Sequence, residues 1–253
     1  MIYSIRIITT FLFLLPVICN GQEELKVVVT SSWTASYVEL AGITEYEMMA
    51  PSDMRHPSEY ELQIDDIKKL KDADLIICGG YETMMEKIRT GLKIDPNLIL
   101  QIKTDYNLEH IKNSVRSIAD RTGTIEIAQE NLQEIEEIIL ESRNRIKQEG
   151  ITEVPMLVQF FLRPLSEELD LNISAIFGPR QLEAFDIQEL MKHDFVMVID
   201  NAHNPSGQPL VESKENVRIA YLMNFPGMNN THSIADVIRE NVQEIINAYR
   251  DGN

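Results

Sequence analysis

Gln63-Ile-Asp-Asp-Ile-Lys-Lys-Leu-Lys-Asp-Ala-Asp-Leu-Ile-Ile-Cys-Gly-Gly-Tyr-Glu82 holds the alternation that sets the fold class. Ile64 to Leu70 has the apolar spacing of a helix, Ala73-Asp-Leu-Ile-Ile-Cys78 reads as a buried strand, and Gly79-Gly80 is a turn. Tyr81 to Thr90 then returns to helical spacing. The same order stands upstream, where Lys26 to Val29 is a short β-branched strand, Thr30-Ser31-Ser32 a capping turn, and Trp33 to Ala41 a helix stopped by Gly42. Leu98 to Ile102 adds a further strand. Strands separated by helices at this spacing predict a parallel sheet covered on both faces.

Beyond this first unit, Asn107 to Ala119 is helical, and after Gly123 the segment Thr124 to Glu149 carries Ile125, Ala128, Leu132, Ile135, Ile139 and Ile146 on one stripe. Such a helix is roughly 39 Å long and needs an equally long surface to bury its stripe. A bundle, a coiled coil or two lobes could supply that surface, and the stripe is too short for a coiled coil. After Gly150 the alternation resumes: strands at Val154 to Val158, Ile173 to Phe177, Phe195 to Ile199 and Val217 to Leu222, with helices near Leu165 to Leu169, Gln181 to Lys192 and Ser233 to Tyr249. The expected architecture is α/β with two lobes, 22–123 and 150–253, each a parallel sheet flanked by helices, joined by the helix 124–149. The longest irregular stretch is Asp200 to Leu210, and loops beyond strand C-termini are where open α/β sheets bind ligands.

Ahead of the first strand, Ile7 to Ile18 is an apolar run behind a single positive charge, the pattern of a secretory signal. Cleavage after Gly21 is expected, with a lipid-modified Cys19 as the alternative; Ile18 is large for a lipoprotein signal. No later segment offers the ~20 apolar residues of a membrane span. The reading is an exported, extracytoplasmic, water-soluble monomer in which Cys78 has no internal partner once Cys19 is removed or acylated. A formal net charge of −17 argues against nucleic acid as a partner, which needs clustered Lys and Arg, and makes cations natural ones. Taken alone, that charge also serves simply to keep an exported protein dissolved.

Between Ala50 and Glu82 a histidine, His56, lies in a proline-containing turn ahead of Tyr60-Glu61, a helix, an Ala-Asp strand and a Gly-rich turn ending in Glu82. In order and spacing this resembles the first-lobe signature of the zinc and manganese solute-binding proteins of ABC importers. The resemblance implies a divalent metal ion, zinc or manganese, held between two lobes that move little and delivered to an ABC permease, with no reaction catalysed. It also implies that His56 is a ligand. At the family's other ligand positions this chain has Lys103, Gln159 and Asn224. Gln and Asn offer a transition metal only neutral amide atoms, weaker donors than imidazole or carboxylate.

Asp200 and His203, on the loop after a predicted strand, are the nearest compensating donors. Two imidazoles and a carboxylate, completed by water or Gln159, are enough to hold zinc. His110, His193 and His232 read as helix-surface or helix-end residues. The alternatives are a receptor of the same fold for a metal chelate, a corrinoid or another small solute, and a secreted metallohydrolase built on His56, His203 and Asp200. The hydrolase lacks a recognisable general-base motif, and the chain contains no phosphate-binding glycine loop and no His-Glu-x-x-His.

Overall fold

The computed structural model describes residues 25–251. The expected signal segment, its cleavage point and Cys19 therefore lie outside the described residues. The first unit runs β1 (Val27–Val29), α1 (Ser32–Leu40), β2 (Glu47–Met48), α2 (Ile64–Asp72), β3 (Leu75–Cys78), α3 (Met84–Gly91) and β4 (Ile99–Gln101). Two helices, α4 (Leu108–Thr122) and α5 (Ile125–Gln148), lead to the second unit. It comprises β5 (Met156–Gln159), α6 (Arg163–Glu168), β6 (Ile173–Phe177), α7 (Ala184–Leu190), β7 (Met197–Asn201), α8 (Gln208–Glu212), β8 (Arg218–Leu222) and α9 (Ile234–Arg250).

There are two separate four-stranded sheets, ordered β2-β1-β3-β4 and β6-β5-β7-β8, and every pairing in both is parallel. Each chain segment starts on an inner strand, steps outward to one side and then crosses to the other. The order therefore reverses between β1 and β3 in one sheet and between β5 and β7 in the other. At such points the loops leaving the strand C-termini diverge and open a crevice.

Sequence explains why the strands are so apolar. Val27 and Val29 of β1 point into one hydrophobic core while Val28 points into a second. Met156 and Val158 of β5 divide from Leu157 in the same way. Both faces are buried, so alternating polar residues would be left without water, and the strands read as unbroken β-branched and aliphatic runs.

One core is shared by the two halves. Val29 and Ile77 from the first sheet and Val158 and Ile199 from the second belong to a single cluster with Ala128, Leu132, Ile135, Ile139 and Ile146 of α5. Ile125, expected on that stripe, is 55 % exposed at the helix N-terminus, and Ile138 takes a buried place instead. α4 ends at Gly123, whose φ of 77° lets the chain turn at once into α5. Glu168 of α6 ties the halves further: it accepts from Leu108 N at the α4 N-terminus (2.9 Å) and from Arg143 Nη2 of α5 (2.9 Å). Two short elements were not expected from the sequence: the two-residue edge strand β2, and the helix α8, which begins within the stretch expected to be irregular. Both are too short to show a period.

A continuous core makes the halves one folding unit. Ile139→Ala should lower global stability by about 2–5 kcal/mol. Amide exchange of Val28 in β1 and of Val198 in β7 should then accelerate together; acceleration in one sheet alone would show that the halves unfold separately.

Candidate functional site

The contacts that close the seam between the two halves come from residues just beyond strand C-termini. Ser32, at the start of α1 after β1, donates its hydroxyl to Pro226 O at 2.8 Å. Arg55, on the loop after β2, donates Nε to His203 O (3.0 Å) and Nη2 to Ala202 O (3.2 Å) on the loop after β7. Gly227, at φ 127°, lies so close to Ser52 that a Cβ would stand 2.3 Å from its carbonyl oxygen. Glycine is required there both by the backbone angle and by that approach. Trp33 packs its ring 5.7 Å from Phe225 across the seam, with Tyr81 at 6.3 Å and Tyr106 at 6.4 Å beside it.

Asp200 builds the second-half wall. Its carboxylate is fully buried and accepts from Asn201 N (2.8 Å), Ser206 N (2.9 Å) and Gly207 N (2.8 Å). Burial pushes its pKa up while these amides pull it down, and burial wins. Asp200 is expected as a metal ligand. The structure gives its oxygens to the backbone, where they hold the loop that presents His203, and Asn201 Oδ1 accepts from His203 N at 2.9 Å.

His203 itself is 3 % exposed and stacks on Phe225 with ring centres 3.6 Å apart. Neither ring nitrogen has a hydrogen-bond partner. Burial, reinforced by the Arg55 guanidinium, pushes its pKa down to about 4, and the neighbouring Asn224 amide opposes this without a hydrogen bond of good geometry. The ring is a neutral imidazole at physiological pH, the form that coordinates metal.

Asn224 is buried beside it with Oδ1 unpartnered. Its place is set by Asn241 of α9, which accepts from Met223 N (2.8 Å) and donates to Met223 O (2.7 Å). Gln159, fully buried at the end of β5, accepts from Phe161 N through Oε1 at 2.7 Å, and the orphaned buried atom is its donor, Nε2. As it stands, Gln159 offers the site a hydrogen-bond donor. His56 is exposed on the loop next to Arg55, near enough to His203 to act on it electrostatically. Lys103 turns to solvent, 61 % exposed, with Nζ 3.0 Å from His110 Nε2 and 3.7 Å from Asp105 Oδ2. His110 Nδ1 also contacts Asp105 at 2.9 Å, so it belongs to a charged cluster at the end of β4.

Among the described residues no group of three or more His, Cys, Asp or Glu side chains is placed to hold a metal ion. The site combines one buried imidazole, one exposed imidazole, two amides and a guanidinium. Sequence reasoning missed Arg55, Trp33 and Phe225. Arg55 adjoins His56 and Phe225 adjoins Asn224, so proximity to the candidate ligands was the available signal.

No family model and no curated sequence matches the chain. Solved structures do. TroA, described for its metal-binding specificity, aligns with a TM-score of 0.67 at 14 % identity, over 88 % of this chain and 99 % of its own. The solute-binding protein FpvC of P. aeruginosa, in complex with Ni2+, gives 0.69 at 13 %, over 91 % and 98 %. The Mn-bound periplasmic metal-binding protein of Candidatus Liberibacter asiaticus gives 0.61 at 16 %, over 88 % and 99 %. The chain thus has the two-lobed fold of periplasmic metal-binding proteins.

A histidine whose folded pKa lies below its unfolded value near 6.5 binds its proton more readily in the unfolded chain. Its effect on stability is absent above about pH 6.5 and becomes a penalty as pH falls towards 4. Replacing it by Gln should flatten the loss of stability between pH 6.5 and 4 by an amount on the order of 3 kcal/mol. Denaturant titrations at pH 7, 5.5 and 4.5 read the difference, and parallel curves for both proteins would show that His203 is not buried neutral.

Proposed function

We propose that the chain is the extracytoplasmic solute-binding subunit of an ABC importer, capturing a metal ion at the seam between its lobes and handing it to a membrane permease without catalysing a reaction. The observation that carries this reading is His203: a neutral, buried imidazole with both nitrogens unpartnered, where loops from both switch points converge. Leaving such a group unsatisfied costs stability in the empty protein, about 1–3 kcal/mol per group, which a ligand recovers on binding. The sequence resemblance makes zinc or manganese the first ions to test. His203 and His56 would supply imidazole nitrogen and Asn224 its amide oxygen. Gln159 would have to release Phe161 N to offer its own, and Asp200 would act by holding the His203 loop.

A second reading is favoured by Arg55. A guanidinium beside His203 repels a bare dication, whereas a preformed metal chelate, a corrinoid or another small polar solute brings its own compensating groups. On that reading the orphaned donors Trp33 Nε1 and Gln159 Nε2 would also serve the ligand.

Isothermal titration of zinc and manganese, with native mass spectrometry of the purified chain, separates the two. The metal-ion reading expects binding at micromolar concentration, weakened at least tenfold by His203→Ala and by His56→Ala relative to His193→Ala. Binding of neither ion, with an organic mass carried through purification, would replace it by the second reading.

A further inference from the structure

The polar atoms of the seam are closed off. Both ring nitrogens of His203, Asn224 Oδ1, Gln159 Nε2 and Trp33 Nε1 are buried and unpartnered, so a ligand reaches them only if part of the wall moves. The segment best placed to move is 51–57, on the loop after β2. Backbone hydrogen bonds pin it at either end: Ala50 N donates to Thr30 O (3.2 Å), and Ser58 O accepts from Thr83 N (3.0 Å). Between these points its backbone bonds are local, Met54 N to Pro51 O and Glu59 N to His56 O. Pro51, Ser52, Asp53, Arg55 and His56 are exposed. An exposed span held at its two ends, with few buried contacts between, opens at lower cost than the packed core. Ser52, Asp53 and Arg55 share a cavity of about 290 Å3 with His203, Phe225 and Gly227 of the other half, so space for a ligand adjoins His203.

We propose that Arg55 is the latch of a strap, residues 51–57, that closes the seam over His203, and that a ligand reaches the imidazole only when the guanidinium lets go. The inference rests on the reading of His203 as the ligand-binding group and names how access to it is controlled. Arg55 ties the strap to the opposite half, donating Nε–H to His203 O (3.0 Å) and Nη2–H to Ala202 O (3.2 Å). The acceptors are the carbonyl of His203 itself and that of the residue before it, so release acts where the ring is held. The loop carrying that ring is the fixed partner. Asp200 accepts from Ser206 N and Gly207 N, Asn201 Oδ1 accepts from His203 N, and Ala202 N donates to Leu222 O at 2.8 Å. The strap is therefore the part that moves. Ser32 bonds Pro226 O in a buried setting, whereas Arg55 lies exposed and exchanges its two carbonyls for water at small net cost. A withdrawn guanidinium also no longer stands beside an incoming cation, which removes the repulsion it exerts in place.

The test needs no ligand: the purified chain is modified with diethyl pyrocarbonate at pH 7, and the rate at each histidine is read by peptide mass spectrometry. His193, exposed and away from the seam, is the reference within the same chain. Trp33, the single tryptophan, reports by acrylamide quenching whether the halves part as a whole. In the wild type His203 is expected to react far more slowly than His193. Arg55→Ala should raise the His203 rate by on the order of tenfold and leave the His193 rate and the quenching of Trp33 as they were. A wild-type His203 as reactive as His193 overturns the inference, and so does a His203 rate that Arg55→Ala leaves unchanged. Stronger quenching of Trp33 in the variant overturns it as well, because then the halves separate and no strap lifts. Should Arg55→Ala fail to fold, Arg55→Lys, which keeps the charge and loses the fork, takes its place with the same outcomes. Zinc titration of the wild type decides the metal-ion reading by itself, so failure of that reading and failure of the latch are told apart.

Discussion

Burial of the α5 stripe is the constraint on which the rest of the molecule depends. A 24-residue helix about 36 Å long presents Ala128, Leu132, Ile135, Ile139 and Ile146 along its length. Neither small parallel sheet could cover that stripe alone. By taking one face of each sheet into the same core, α5 joins the two units around a single cluster of buried residues. The outer faces are left to two smaller clusters, covered by α2 and α3 on one side and by α7 and α8 on the other.

This arrangement decides what kind of site can exist. With the sheets held on a common core, the loops leaving their C-terminal ends meet across a narrow seam. The seam is tight enough for Gly227 to admit no side chain against Ser52 and for Arg55 to reach two carbonyls of the opposite wall. His203 is shielded from water, which lowers its pKa and makes its unpartnered ring nitrogens costly. The Asp200 carboxylate sits behind this surface as a backbone anchor. An acidic protein thus presents at its candidate site a neutral imidazole, amides and a cation.

On the proposed reading, recognition rests on the donors that the seam presents. Here those donors have a different character from the histidine and carboxylate set that the resemblance implies. Gln159 has committed its oxygen, Lys103 has turned out to pair with His110 and Asp105, and Asn224 keeps a free oxygen beside His203.

Much of the fold was legible in the chain. The apolar runs 27–29, 75–78 and 156–158, each followed by a turn and a helical period, point to parallel strands buried on both faces, because strands with one face in water alternate apolar and polar residues. The α5 stripe likewise required a long partner surface. The weakly periodic pieces, β2 and α8, were not legible, since two to five residues cannot display a period. The site was legible only in part. Sequence could say that His203 follows a strand, but a histidine there reads the same whether exposed or buried. Tertiary structure decided that Asp200 faces backbone amides, that Phe225 lies under the His203 ring, and that Arg55 reaches across from the other half. Each of these depends on residues more than twenty positions apart or on the direction a loop takes, and local sequence encodes neither; the shared core sets them when it fixes where the two sheets meet.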